Sequence, residues 1–162
     1  MMSRRRPAGA LAAVLIAAAA TSVLSAPAHA APDAVSKAPT RAPATCFATT
    51  CHGLDPLATH CVDDAVTIAD ATLDGRIVRL RYSAECRAAW AQLWFGKADD
   101  TASVRTEDAG GHTIAVQSIT VRPGDANSVY TPMVNDKDLK AQACVDVPSL
   151  PPGSDFACTI FY

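Results

Sequence analysis

Residues 76–95, RIVRLRYSAECRAAWAQLWF, decide the fold class of this chain. Every second side chain from Val78 to Tyr82 is apolar, and Arg79 and Arg81 lie between them. An alternation with period two is typical of a half-buried β-strand, and the turn signal Asp74-Gly75 precedes it. The first part of this stretch is therefore predicted to be a strand.

The second part of the stretch predicts another strand, over residues 89–95. Trp90, Gln92 and Trp94 share one face of it, and the other face is apolar. A helix over residues 85–95 is the alternative, because Ala, Glu, Gln and Leu are good helix formers. The aromatic content favours the strand, since aromatic residues are enriched in β-sheets.

Further short apolar segments, separated by turn residues, continue to the end of the chain. We predict an all-β fold, a small disulfide-stabilised sandwich or barrel of six to seven short strands. Residues 55–70 are expected to form a helical turn or a short helix. The remaining predicted strands cover residues 102–106, 112–121, 128–134, 141–147 and 156–162.

The first thirty residues have the three parts of a secretory signal peptide. Arginines at positions 4–6 precede an alanine-rich apolar stretch, and Ala28-His29-Ala30 matches an A-x-A cleavage site. An uncleaved membrane anchor is the alternative, which the shortness of the apolar stretch disfavours. Residues 31–45 are predicted to be a Pro/Ala-rich flexible linker, and residues 46–162 the folded domain. We expect a secreted protein with no membrane span after cleavage.

The charge and the motifs of the chain exclude several functions. Removal of the signal peptide changes the formal net charge from −2 to −5, which argues against nucleic acid as a partner. The sequence contains no nucleotide-binding, zinc-protease or serine-hydrolase fingerprint. We therefore expect no enzymatic activity, no cofactor, and a monomer that binds an unknown extracellular ligand or protein.

The cysteines predict three disulfides, because their number is even and the chain is small and carries an export signal. Cys144 and Cys158 flank a proline-rich loop on consecutive predicted strands, so we pair them. For the other four the sequence leaves the choice open, and we prefer Cys51–Cys61 and Cys46–Cys86. The six cysteines are Cys46, Cys51, Cys61, Cys86, Cys144 and Cys158.

Residues 46–61, CFATTCHGLDPLATHC, also contain zinc-type ligands. Cys51-His52 and His60-Cys61 are adjacent pairs, whereas ligands of structural zinc sites are usually spaced by two to four residues. We predict no metal site there and expect both histidines to lie in solvent. A weak calcium site stays open, although no acidic cluster matches an EF-hand loop. The acidic clusters are at residues 63–64, 99–100 and 135–138.

Arg79 and Arg81 share one face of the first predicted strand, and Trp90 and Trp94 share one face of the second. If these faces coincide, the sheet presents a surface suited to an anionic or sugar-like ligand. In the alternative interpretation the tryptophans fill the core and the arginines face water. We name these four residues as the candidate ligand-binding residues.

Three blocks of the chain form a recognisable pattern: CHGLDP at 51–56 with Cys61, VRLRYS at 78–83 with CRAAWA at 86–91, and YTPMV at 130–134. The pattern resembles that of a bacterial family, the domain of unknown function 2690 family, also called YjfA-like. This chain departs from the family pattern at His60, where glycine is expected, and at Ala84, where proline is expected.

The resemblance covers residues 46–162 and implies neither an activity nor catalytic residues. Family domains occur as exported proteins and as outer parts of membrane-bound regulators, which implies a binding or sensing role. We expect a secreted non-catalytic module, for example for cell-envelope glycan or a surface ligand. The alternatives are a hydrolase of extracellular or cell-wall polymer, and a structural or inhibitor-like protein-interaction domain.

Overall fold

The structure is a computed structural model and describes residues 41–162. The predicted signal peptide and most of the predicted linker therefore lie outside the described residues. A 3-10 turn at Ala48–Cys51 precedes nine strands. The strands are β1 Val66–Leu73, β2 Arg76–Ser83, β3 Ala88–Trp94, β4 Thr101–Glu107, β5 Thr113–Thr120, β6 Ser128–Tyr130, β7 Val134–Asn135, β8 Lys140–Asp146 and β9 Phe156–Cys158.

The strands form two antiparallel sheets. Sheet A has the order β1-β2-β3-β6, with β7 also paired to β3, and sheet B has the order β5-β4-β8-β9. One buried apolar cluster joins the two sheets, and it includes Val78 and Leu93 of sheet A and Val104 and Val145 of sheet B. The all-β prediction is confirmed, and the shared core makes the architecture a sandwich.

The hairpin of β2 and β3 has the predicted alternation. Val78 and Leu80 point into the core, whereas Arg79 and Arg81 are half-buried on the opposite face. Residues 88–94 form a strand, so the helical alternative for residues 85–95 is wrong. The inner face of β3 carries Ala89, Ala91 and Leu93, which are buried in the core that is shared with sheet B.

The expectation of a helical turn or short helix over residues 55–70 is wrong in its second half. Turns occupy the segment up to residue 62, and then β1 begins at Val66 at the edge of sheet A. A shift of register between Thr67 and Ala69 interrupts the alternation along β1. The bulge removes the period-two signal from the sequence, which explains why the strand was missed.

Several short strands differ from the predicted bounds. Residues 128–134 form two strands because Pro132 lies between them and has no backbone N–H to donate. The last strand ends at Cys158 rather than at residue 162, and β3 ends before Phe95, whose φ of 59° breaks the extended conformation. The split at Pro132 and the unexpected β1 together bring the number of strands among residues 41–162 to nine, above the six to seven expected.

A buried ion pair joins the two sheets at one end of the sandwich. Arg76 begins β2 and Asp100 precedes β4, and both side chains are 2% exposed. Arg76 Nε donates to Asp100 Oδ2 at 2.9 Å, and the backbone N–H of Lys97 donates to the same oxygen at 2.7 Å. Asp74 also pairs with Arg76. A buried pair of this kind is stabilising only while both partners are present.

We expect Arg76→Met to lower the free energy of unfolding by about 3–5 kcal/mol, because it leaves Asp100 buried without its countercharge. The control is Arg122→Met, which removes an exposed arginine and should change stability by less than about 0.5 kcal/mol. Urea unfolding measures both. Equal stability of the two variants would contradict the structural role of the pair.

Candidate functional site

The structure contains three disulfides, and one of the three predicted pairings is correct. Cys144 and Cys158 are directly opposite each other on β8 and β9 and are bonded as predicted. The predicted pairs Cys51–Cys61 and Cys46–Cys86 are wrong. The observed bonds are Cys46–Cys51 and Cys61–Cys86.

The two wrongly predicted pairings have a physical cause. The sulfur atoms of these four cysteines all lie within 4.8 Å of one another. Cys46 Sγ is 3.6 Å from Cys61 Sγ, although the two are not bonded. Every pairing of the four therefore brings together the same parts of the chain, and sequence spacing cannot distinguish among them.

The Cys61–Cys86 disulfide holds the segment of residues 46–65, which we call the opening segment, against the outer face of sheet A. The buried cluster there contains three of the four cysteines, Trp90 and Met133. Trp90 is only 3% exposed although it points away from the main core. His60 in this segment has a φ of 62°, a left-handed conformation that explains why the family pattern has glycine at this position.

The register of β2 and β3 brings all four candidate ligand-binding residues to the outer face of sheet A. Arg81 lies opposite Trp90 and Ile77 lies opposite Trp94. Trp90 is covered by the opening segment, whereas Trp94 and both arginines are half-buried. Trp94 therefore supplies the aromatic surface that solvent reaches, whereas Trp90 is buried further along the same face of β3.

A hollow of about 210 Å³ opens on this face between β3 and the opening segment. Its wall is formed by the apolar residues Pro56, Leu57 and Val62. Two polar residues of the hollow were missed as candidates. Gln92 shares the face of the tryptophans in the sequence, but Tyr130 is placed only by the pairing of β6 with β3. The other lining residues are Arg81, Trp90, Gln92 and Tyr130.

The arginines give this face its electrostatic character. Arg81 donates to Thr67 Oγ1 at 2.7 Å and to the carbonyl of Ala65 at 3.0 Å. Burial, and then the positive charge of Arg79, lower the pKa of the Arg81 guanidinium below its ordinary value. Among residues 41–162 no carboxylate lies within 4.0 Å of either guanidinium, although exposed Asp70 is opposite Arg79 in the register. An anion bound here would relieve the repulsion between the two cations.

Arg79 also forms a cation–π contact with Trp94. The guanidinium carbon lies 5.7 Å from the centroid of the tryptophan ring. Trp94 Nε1 is buried and has no hydrogen-bond partner in the described part of the chain. Ring and guanidinium therefore form one composite surface beside the hollow.

The histidines and the acidic clusters have local partners. The side chain of exposed His52 lies 3.2 Å from that of Gln117, between two nitrogen atoms. His60 lies 3.6 Å from Asp63, and Asp64 accepts from the backbone N–H of Glu85. In the cluster at residues 135–138, Lys137 pairs with Asp138. The weak calcium site stays a prediction.

Asp136 is a carboxylic acid with a strongly perturbed pKa. Burial raises its pKa to about 7, and the nearby positive charge of Arg87 offsets part of the rise. The side chain is 5% exposed, and its Oδ1 has no hydrogen-bond partner among the described residues. Asp136 does not line the hollow on sheet A.

These features define a class of protein, a disulfide-stabilised β-sandwich with a polar and aromatic face that is partly covered by a disulfide-bonded segment. The family model described as "Protein of unknown function (DUF2690)" matches residues 49–144, and the chain belongs to this family. The resemblance noted from the sequence is thereby confirmed. No curated protein and no solved structure matches the chain. Among the described residues no helix is long and apolar enough to cross a membrane.

We expect the double variant Cys61→Ser/Cys86→Ser to lose about 3 kcal/mol of stability and to shift tryptophan emission to longer wavelength, because water then reaches Trp90. The matched control is Cys144→Ser/Cys158→Ser. It removes a disulfide of sheet B and should lower stability by a similar amount without changing the emission of the native state. An unshifted emission in the first variant would contradict the covering role of the segment.

The Asp136 carboxyl binds its proton more tightly in the folded state than in the unfolded chain, where its pKa is about 3.9. The free energy of unfolding should therefore fall as pH rises from about 4 to about 7. Asp136→Asn should remove this dependence on pH. At pH 8 the free energy of unfolding of the variant should exceed that of the wild type by a few kcal/mol, the order of magnitude that the pKa shift of Asp136 implies. Urea unfolding at each pH measures it, with exposed Asp146→Asn as control. If the free energy of unfolding of Asp136→Asn still falls with pH as in the wild type, the pH dependence does not come from Asp136.

Proposed function

We propose that this protein is a secreted, non-catalytic binding module that recognises an acidic glycan of the cell envelope on the outer face of sheet A. The observation that carries the proposal is the convergence of Arg79, Arg81 and Trp94 beside a hollow lined by Gln92 and Tyr130. Each of these residues comes from a regular strand, so the face is held rigidly before a ligand binds.

The aromatic part of the face suits a sugar ring. The apolar C–H surface of a saccharide packs on an aromatic ring, and nearby polar groups fix its orientation. Trp94 provides the ring, and Gln92 can hydrogen-bond hydroxyl groups through its amide. Gln92 Nε2 already donates to Ser128 Oγ at 3.1 Å, which orients the amide along the face.

The charged part of the face favours an acidic sugar over a neutral one. Arg79 and Arg81 are two residues apart on one strand face. Guanidinium groups bind carboxylates and phosphates with paired hydrogen bonds, which gives both affinity and orientation. A glycan with carboxylate or phosphate groups along its chain matches this arrangement.

The setting of the protein supports a ligand outside the cell. The three disulfides are consistent with an oxidising, extracellular environment. The signal peptide predicted at residues 1–30 agrees with this location. The acidic glycans that an exported module meets first are polymers of the cell envelope.

Sedimentation with insoluble polymers tests the proposal. We expect the purified protein to sediment with bacterial peptidoglycan, whose muramic acid units carry peptides with free carboxylates. It should bind chitin, the uncharged relative of that glycan backbone, at least tenfold more weakly. Trp94→Ala and Arg79→Ala should each lower peptidoglycan affinity at least tenfold, about 1.4 kcal/mol, with the fold intact.

The control variants remove the same side chains elsewhere. Phe156→Ala deletes an exposed aromatic residue of sheet B, and Arg122→Ala deletes an exposed arginine outside sheet A. Both should bind like the wild type. Equal losses in all four variants, or equal binding to chitin and peptidoglycan, would contradict the proposal. Release of soluble sugar during incubation would instead favour a hydrolase.

A second candidate function is protein binding through the opening segment. Three large apolar side chains are exposed there, Phe47 at 52%, Leu54 at 42% and Leu57 at 52%. Exposed apolar side chains grouped on one segment are typical of protein contacts. The double variant Phe47→Ser/Leu54→Ser tests this function. Unchanged binding to peptidoglycan together with loss of binding to a specific protein partner would support it.

A further inference from the structure

We propose that, after reduction, Cys46, Cys51, Cys61 and Cys86 form a tetrathiolate site for a divalent zinc-like cation. The same four residues would then have two mutually exclusive states, two disulfides under oxidising conditions and a metal site under reducing conditions. This inference is independent of the proposed glycan-binding function, because none of the four cysteines belongs to the surface formed by Arg79, Arg81 and Trp94.

The positions of the sulfur atoms match the size of such a site. Zinc–sulfur bonds of about 2.3 Å in a tetrahedron place the sulfur atoms about 3.8 Å apart. Cys46 Sγ and Cys61 Sγ are already 3.6 Å apart without a bond, and all four sulfur atoms lie within 4.8 Å of one another. Opening the two disulfides moves the bonded sulfur atoms toward the tetrahedral separation.

The spacing of the first ligand pair along the chain also fits. Four residues separate Cys46 from Cys51, which is within the range of the first ligand pair in structural zinc sites. The second pair, Cys61 and Cys86, comes from the opening segment and from the turn between β2 and β3. The ligand set first considered from the sequence, with His52 and His60, is not the set that the fold brings together.

The surroundings of the cluster favour a closed site. Cys51, Cys61 and Cys86 are fully buried, and Cys46 is half-buried, so metal and reductant would enter beside Cys46. The hydroxyl of Thr59 donates to the carbonyl of Asp55 at 2.9 Å, and Thr59 Oγ1 also lies 3.2 Å from Cys61 Sγ, so it can turn to donate to a thiolate there. A hydrogen bond of this kind stabilises a thiolate ligand and fixes its orientation.

Reduction followed by metal binding converts the disulfide state into the metal-bound state. Two equivalents of a dithiol reduce the two disulfides to four thiols and are themselves oxidised to disulfides. Binding of the divalent cation then displaces the four thiol protons to solvent and leaves four metal–sulfur bonds. Two equivalents of the oxidised dithiol reverse the process: they accept four electrons from the thiolates and four protons from solvent, the two protein disulfides form again, and the metal is released.

Cobalt binding tests the proposal, because Co²⁺ in tetrahedral tetrathiolate sites has intense visible bands and zinc has none. Purified protein is reduced with a phosphine without oxygen, and Co²⁺ is titrated in, followed by Zn²⁺. We expect one Co²⁺ per chain with tetrahedral tetrathiolate bands, which stoichiometric Zn²⁺ removes. Native mass spectrometry should then show one zinc and the loss of four protons.

Two variants identify the ligands. Cys46→Ser removes one thiolate and should weaken Co²⁺ binding at least tenfold and shift its bands. Cys144→Ser/Cys158→Ser leaves the cluster intact and should bind like the wild type. Failure of the reduced wild type to bind one equivalent would overturn the proposal, whether or not the chain stays folded. Equal loss of binding in both variants would overturn it too.

Discussion

The Cys61–Cys86 disulfide is the constraint on which the outer face of sheet A depends. It fastens the opening segment to the turn between the two central strands and thereby buries Trp90 on the side of the sheet away from the core. The buried Trp90 in turn forms part of the floor of the hollow beside Trp94 and the arginines. A single covalent bond therefore gives a small sandwich a second apolar cluster and a shaped surface at once.

The inner and outer faces of this sandwich carry different types of side chain. The core between the sheets is built mainly from Ala, Val and Leu, so that the sheets approach closely and the large aromatic residues are left for the outside. At the end of the sandwich, the Arg76–Asp100 pair replaces further apolar packing with a directional contact. Trp94 is thus available to the outer surface, which the proposed glycan-binding role requires.

The sequence predicts those parts of the fold in which apolar side chains alternate along a strand without interruption. β2 and β3 alternate regularly and were located correctly, whereas the bulge at Thr67 and Ala69 concealed β1. Local disulfides follow the same rule, since Cys144 and Cys158 are neighbours on adjacent strands. The other four cysteines depend on the path of an irregular segment. Gln92 could be named from alternation, but Tyr130 required the pairing of distant strands.

The crosslink at Cys86 also has a mechanical consequence. β1 is an edge strand, and the chain reaches it directly from the opening segment. Tension applied from the amino-terminal side would ordinarily peel such a strand from its sheet one hydrogen bond at a time. Here the load passes at Cys61 through the disulfide to the hairpin of β2 and β3, in the middle of sheet A. A domain tethered on that side while it grips a polymer would carry the strain on covalent bonds.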